Sequence, residues 1–351
     1  TFMQLALYDR TRGYYGAGNV RTGWLGHFVT SPELDPAFGE LWASAFDQIW
    51  TACGRPPVFE IVEIGGGEGG FATAVLRSAP KPFADSLTYR IVERSPQVSE
   101  RQRQIIGPDP RVSWVQSIDE LDNIEAGCVF CNEVLDNLPV HVIEGNGKGF
   151  VELFVGRDDD ELVYVEGDPS SEEVSAYVAR HGLNPPDGVR MEVGVAAEQM
   201  VRRLAANVQR GAVIAIDYGD TSGGLAEHAQ GTLVSYSQRG ADDDVLVGVG
   251  TKDITSHVNW TAVSEALSTS GFDVFGPVKQ RDVLHALGSA AVDENLRDRH
   301  RDAVLRGDGA GALRTLSRRQ ALGALTDPGG LGGLDVVIGT CDCDLPFVQQ
   351  A

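Results

Sequence analysis

Residues 58–70 read VFEIVEIGGGEGG, and the glycines that close this stretch decide how the chain is read. Val58 to Ile64 form a short apolar run rich in β-branched residues, the pattern of a buried strand. Phe71 to Ala79, FATAVLRSA, place apolar residues at helical spacing. The glycines therefore sit at a strand-to-helix turn, where the backbone N–H groups of a helix start can face a ligand. Gly65, Gly67 and Gly70 also satisfy G-x-G-x-x-G, a weak signal alone, because turns that bind nothing use glycine too.

The alternation continues. LTYRIVE (Leu87–Glu93), RVSWVQ (Arg111–Gln116), GCVFCNE (Gly127–Glu133), GAVIAIDYG (Gly211–Gly219), FDVFGPV (Phe272–Val278) and LDVVIGT (Leu334–Thr340) read as further strands, with helical segments between most of them. This order predicts an α/β fold with a mostly parallel, doubly wound, Rossmann-like sheet. The core is expected in two parts, 51–139 and 191–279, with a final strand in 331–351. Two stretches interrupt it. Within 140–190, VHVIEG, GFVELFVG and ELVYVEG are separated by the turn signals GNGK and RDDD, which predicts an inserted antiparallel meander. Residues 280–330 are Arg/Asp-rich and helix-like, and are expected to cap the site.

A dinucleotide and S-adenosylmethionine compete for the glycine turn. A pyrophosphate against a helix start is disfavoured by nearby negative charge, and here Glu63 ends the strand and Glu68 lies within the loop. S-adenosylmethionine carries an ammonium and a sulfonium instead, which a carboxylate favours. The reading is therefore E-x-G-x-G over S-adenosylmethionine, with Glu63, Gly65 and Gly67 in the turn. Glu93, ending the second strand, is placed to accept both ribose hydroxyls. Ser117 and Ile118, after the third strand, are positions for the adenine.

The formal net charge of −21 disfavours nucleic acid and anionic membranes and suits a basic acceptor. No apolar run approaches the roughly 20 residues of a membrane span. A cytoplasmic protein is expected, with a cleaved segment upstream of Thr1 left open and a homodimer among the options for assembly. Cys128 with Cys131, and Cys341 with Cys343, invite a zinc reading. Both pairs lie in or beside apolar strands whose side chains alternate faces, so buried free thiols and no metal site are the expectation.

An ordered series of blocks runs through the chain: ALYDRTRGYYG (Ala6–Gly16), GHFVTSPELDPAFGEL (Gly26–Leu41), VEIGGGEGG, YRIVERSPQVSERQ, NEVLDNLPVHV (Asn132–Val142), IAIDYG, GTLVSY and DITSHVNWTAV (Asp253–Val263). In that order they resemble the MidA-like methyltransferases, a family that includes the mitochondrial complex I assembly factor that methylates an arginine. The resemblance implies a class I methyltransferase, with protein arginine as the acceptor of its best understood members. By position, Glu63, Gly65, Gly67 and Glu93 match the cofactor motif, and Asn132, Glu133, Asp136, Leu138 and Pro139 match an N-E-x-x-D-x-L-P block. It further implies an N-terminal lid in 1–50, with Phe28 to Glu33 folding over the cofactor. The chain departs from the family pattern at His27, Gly66, Val134, Leu135 and Asn137, which puts the substrate in doubt more than the chemistry.

Asn132, Glu133 and Asp136 follow the fourth strand at its carboxyl end, where open α/β sheets place their ligands. They are the candidate catalytic residues, Asn132 also lying beside the cofactor. Two carboxylates there can hold a guanidinium by paired charge-assisted hydrogen bonds, or act as a general base toward a hydroxyl or amine. His141 and His257 are weaker candidate bases, Tyr14 and Tyr15 candidate cation–π partners of the sulfonium, and Asp217 and Tyr218 candidate lining of the substrate mouth. A small-molecule O- or N-methyltransferase and a cofactor-binding assembly factor without turnover are the rival readings. A nicotinamide-dependent oxidoreductase is disfavoured by Glu63 and Glu68.

Overall fold

The computed structural model describes residues 1–17, 30–237, 240–345 and 347. Its centre is a seven-stranded sheet of β1 (Phe59–Ile64), β2 (Leu87–Val92), β3 (Val112–Val115), β4 (Gly127–Asn132), β5 (Gly211–Asp217), β6 (Asp273–Lys279) and β7 (Asp335–Cys341). The order is β3-β2-β1-β4-β5-β7-β6. β1 pairs in parallel with β2 and β4, and β4 with β5, in a register that sets Glu63 beside Phe130 and Asn132 beside Ile216. β7 runs antiparallel to both β5 and β6. The reversal has a topological cause: residues 280–334 leave β6 and enter β7 at the same edge, since Asp335 pairs with Asp217 and Lys279.

Helices cover both faces, so the central strands lack the alternation of a half-exposed sheet. All seven residues of β5, GAVIAID, are buried. Neighbouring side chains feed opposite cores: Ile61, Cys128 and Phe130 pack with helix Ala37–Ala52, while Val62, Val129 and Cys131 pack with helices Val195–Asn207 and Trp260–Thr269. Cys128 and Cys131 therefore point to opposite sides of the sheet. All five cysteines are free, and no group of three or more His, Cys, Asp or Glu is placed to hold a metal among the described residues. Phe71 stacks on Phe130 with centroids 4.5 Å apart, fixing the helix after the glycine turn against β4. Gly39 allows the approach of helix Ala37–Ala52, because a Cβ there would lie 2.6 Å from that of Ala74.

The insertion is a four-stranded antiparallel sheet of His141–Gly145, Phe150–Asp158, Glu161–Gly167 and Arg190–Val193. The fourth strand, RMEV, was not expected, because four residues that mix charge with apolar positions carry little signal. Helices Ser289–Leu305 and Gly309–Thr326 form the helical segment before β7. Helix Phe2–Tyr8 buries Met3, Ala6 and Leu7 against Tyr14, Val245 and Ile254. No described helix is long and apolar enough to cross a membrane.

Candidate functional site

The turn after β1 needs its glycines. Gly65, Gly67 and Gly69 have φ of 68°, 50° and 88°, a region that side chains disfavour. The Gly65 N–H donates to Val92 O at 3.0 Å, tying the turn to the end of β2. Beneath it lies Glu63, 5% exposed, whose Oε2 accepts the Tyr89 hydroxyl at 2.8 Å. Burial, with Glu93 adding to it, pushes the Glu63 carboxyl up to about 7. A Cβ on Gly66 would stand 3.2 Å from that carboxyl group. Glu68 is ion-paired to Arg101 at 3.2 Å, and Gln102 Nε2 donates to Gly67 O at 2.9 Å. The electrostatic case against a pyrophosphate is corrected here. One of the two carboxylates weighed against it is compensated by Arg101, and the other is a buried support of the turn.

Glu93 follows β2, and its Oε1 accepts the Ser95 N–H at 2.8 Å at the start of helix Pro96–Ile106. Burial raises this carboxyl too, to about 7. Ser117 caps the short 3-10 helix Ile118–Glu120, its Oγ accepting the Asp119 N–H at 3.1 Å. Ile118 packs at the margin of the second core.

β4 ends in Asn132, and Glu133 after it has φ of +52°, strained for a side-chain-bearing residue. Its N–H donates to Ile216 O at 2.8 Å, and Asp217 fixes the next three residues of the loop. Asp217 Oδ2 accepts the N–H groups of Val134, Leu135 and Asp136 at 3.1, 2.9 and 3.2 Å, and Oδ1 that of Tyr218 at 2.9 Å. Asp217 is fully buried and anchors the loop, whereas its position in the sequence suggested that it lines the substrate mouth. Tyr218, 43% exposed, lies at the surface beside it. Glu133 Oε1 accepts from Asn132 Nδ2 at 2.9 Å and from the Ser31 N–H at 3.1 Å. Asp136 is 6% exposed, and among the described residues its Oδ1 has no hydrogen-bond partner; nor has Oδ1 of Asn132.

Asp253, which opens the block DITSHVNWTAV but was not among the candidate site residues, completes the cluster. Its Oδ1 accepts from Asn137 Nδ2 at 3.0 Å. Asn137 also accepts the Tyr15 hydroxyl on Oδ1 and the Tyr8 hydroxyl on its main-chain oxygen, each at 3.2 Å. The departure at Asn137 thus ties the N-terminal segment to the loop after β4. Burial is the first cause that raises Glu133, Asp217 and Asp253 to about 7 and Asp136 well above its usual range. Asp217, Asp253 and Glu133 also face Asp136 with like charge. None of the four forms an ion pair among the described residues.

The weaker candidates separate. Tyr14 is buried in the packing of the N-terminal helix. Tyr8 has the Arg94 guanidinium 4.7 Å from its ring centroid. His141 bonds Glu152 at 2.7 Å within the inserted sheet. His257 sits edge-on to His228 with centroids 5.6 Å apart, and burial and that neighbour lower its pKa. His27, Phe28 and Val29 lie outside the described residues.

A family model with the description “Putative S-adenosyl-L-methionine-dependent methyltransferase” matches residues 41–278. Protein arginine methyltransferase NDUFAF7, mitochondrial, of Mus musculus is 28% identical over 248 residues, which are 62% of this chain and 55% of that protein. The Homo sapiens protein of the same name is 27% identical over 263 residues, 65% of this chain and 58% of that one. The chain thus spans little more than half the length of these relatives. A Burkholderia thailandensis protein crystallised with S-adenosyl-homocysteine is 28% identical, with a TM-score of 0.85 over 98% of this chain and 87% of that one.

Proposed function

The chain belongs to the MidA-like family of S-adenosyl-L-methionine-dependent methyltransferases, and on that premise we propose that it methylates a guanidinium nitrogen of protein arginine. One observation carries the choice of acceptor. Among the described residues, Glu133, Asp136, Asp217 and Asp253 are gathered at the carboxyl edge of the sheet with no ion-pair partner, and a buried oxygen of Asp136 has no hydrogen bond. Burial keeps these carboxyls protonated further up the pH scale than usual, and an opposite charge favours their ionised form.

S-adenosyl-L-methionine, the cofactor, supplies an electrophilic methyl group on a cationic sulfur. In this reading the Gly65–Gly69 turn admits it closely, Glu93 accepts its ribose hydroxyls, and Ser117 and Ile118 border the adenine. Asn132 orients Glu133 through the 2.9 Å bond to Oε1. Glu133 and Asp136 hold the guanidinium and localise a lone pair on the attacking nitrogen, and one of them takes its proton. The relatives are named as mitochondrial protein arginine methyltransferases, which supports an arginine acceptor. For this chain the free thiols support a reducing compartment such as the cytoplasm, which fractionation of its native host decides.

The test is to incubate the purified chain with methyl-labelled cofactor and host protein extract, hydrolyse the protein and separate the amino acids. Label in methylarginine is the expected result. Label confined to other residues or to small molecules overturns the reading.

A further inference from the structure

Glu133 is held from outside its own loop. The Ser31 N–H reaches its Oε1, and Ser31 is wholly buried. The Ser31 hydroxyl lies 3.1 Å from Nε2 of Gln280, which is 249 positions away and also fully buried. Gln280 Nε2 is anchored in turn on Leu331 O at 2.9 Å and Leu325 O at 3.3 Å. The same short segment is pinned again four residues on. Buried Asp35 receives the Arg318 guanidinium on both oxygens at 3.1–3.3 Å, and Arg318 also reaches Glu40 at 3.0 Å. Asp35 Oδ1 further accepts the Ala37 N–H at 2.8 Å, which sets the start of helix Ala37–Ala52.

We propose that Gln280 and Arg318 are positioning residues for the methyl transfer assigned above, on which this inference rests: by clamping residues 31–36 they keep the Ser31 N–H on Glu133 Oε1. Neither bonds to any of the four site carboxylates among the described residues, so their effect passes through Ser31. The main chain of Glu133 is held independently of this segment, its N–H fixed on Ile216 at a positive φ. A fully buried amide and a bidentate ion pair are an unusual way to join helices for stability alone. Apolar side chains of the same size would pack as well, whereas polar contacts fix a register.

The register matters for charge. Burial is the first cause that raises Glu133; Asp217, Asp253, Asp136 and Glu33 add to it by facing Glu133 with like charge, and the Tyr218 hydroxyl lies near it. The Ser31 N–H and the Asn132 amide oppose them by bonding the ionised form. Removing the Ser31 donor leaves Glu133 protonated over more of the pH range, where it neither holds a guanidinium nor takes a proton.

The experiment is a carbon-13 NMR titration of side-chain carboxyls in the full chain, with Glu133→Gln identifying the resonance. Gln280→Leu and Arg318→Ala are each expected to move the Glu133 midpoint up by roughly one pH unit, and Arg318→Lys to restore much of it. The acidic limb of methyl transfer moves up with it. An unmoved midpoint in a variant whose melting temperature alone falls overturns the proposal. Should Gln280→Leu fail to fold, Arg318→Ala, whose side chain is partly exposed, decides alone. The titration needs no acceptor, so a chain that never methylates arginine would overturn the earlier reading and leave this result legible.

Discussion

Tyr89 donates its hydroxyl to Glu63 Oε2 over 2.8 Å beneath the glycine turn, where both residues are buried. The bond couples the middle of β2 to the end of β1 and gives a partner to a carboxyl oxygen that would otherwise be stranded. Glu63 thereby supports the Gly66 backbone from below, where a larger residue at 66 would meet it.

Tyr89→Phe keeps the ring and removes the donor. The expected cost is about 1–3 kcal/mol of folding stability, since a buried acceptor loses its partner. Urea unfolding of both proteins measures it. Equal midpoints would show that the bond is incidental to the turn.

The site should make the unliganded chain prefer mild acid. Glu63, Glu93, Glu133, Asp217 and Asp253 are each raised to about 7, with burial the first cause. Between their ordinary values near 4 and that raised value, the folded chain holds protons that the unfolded chain has released. Their contribution is therefore complete below the unfolded values and is lost as pH rises through about 7. His257, with its lowered pKa, opposes this as a single group. Asp9, Asp109, Asp242 and Asp293 are lowered and act only at more acid pH. The melting temperature should fall by on the order of 5 °C from pH 5 to pH 8, and Glu63→Gln should flatten the slope. A melting temperature that rises across this range in scanning calorimetry would contradict the assignment.

Glu93→Gln retains an oxygen for the Ser95 N–H and removes the charge offered to the ribose. S-adenosylhomocysteine should bind roughly tenfold more weakly or worse, with little change in melting temperature. Calorimetric titration reads the first quantity. Unchanged affinity would move the ribose elsewhere along the edge.

Glu133→Gln should leave S-adenosylhomocysteine affinity near that of the native chain. Methyl transfer should drop by on the order of 100-fold, because the acceptor loses a carboxylate that either grips it or takes its proton. Both measurements belong on one sample. A parallel loss of binding and transfer would place Glu133 on the cofactor instead, and undiminished transfer would remove it from the chemistry.

Much of the fold was legible along the chain. A buried parallel strand is a nearly continuous apolar run, and GCVFC, GAVIAID and VFEIVEI, which only Glu60 and Glu63 interrupt, are such runs. The turn, the acid thirty residues beyond Glu63 and the acids after β4 were visible because each sits at a strand end. The strand Arg190–Val193 was not, being short and mixed in character.

By itself, then, the sequence determined where strands end and which polar residues those ends carry, because both derive from local periodicity. The tertiary structure alone decided which of those residues meet. Asp217 looked like a residue of the mouth until its carboxylate was seen to collect four N–H groups of the loop and of its own strand end. Asn137 looked like a family departure, and only the fold brings Tyr8, Tyr15 and Asp253 to it. The contact of Gln280 with Ser31 gave no signal, for it closes across 249 positions. Local pattern records which face a side chain takes. A buried hydrogen bond between distant segments depends on where two backbones are set by all the packing between them, and no local spacing encodes that.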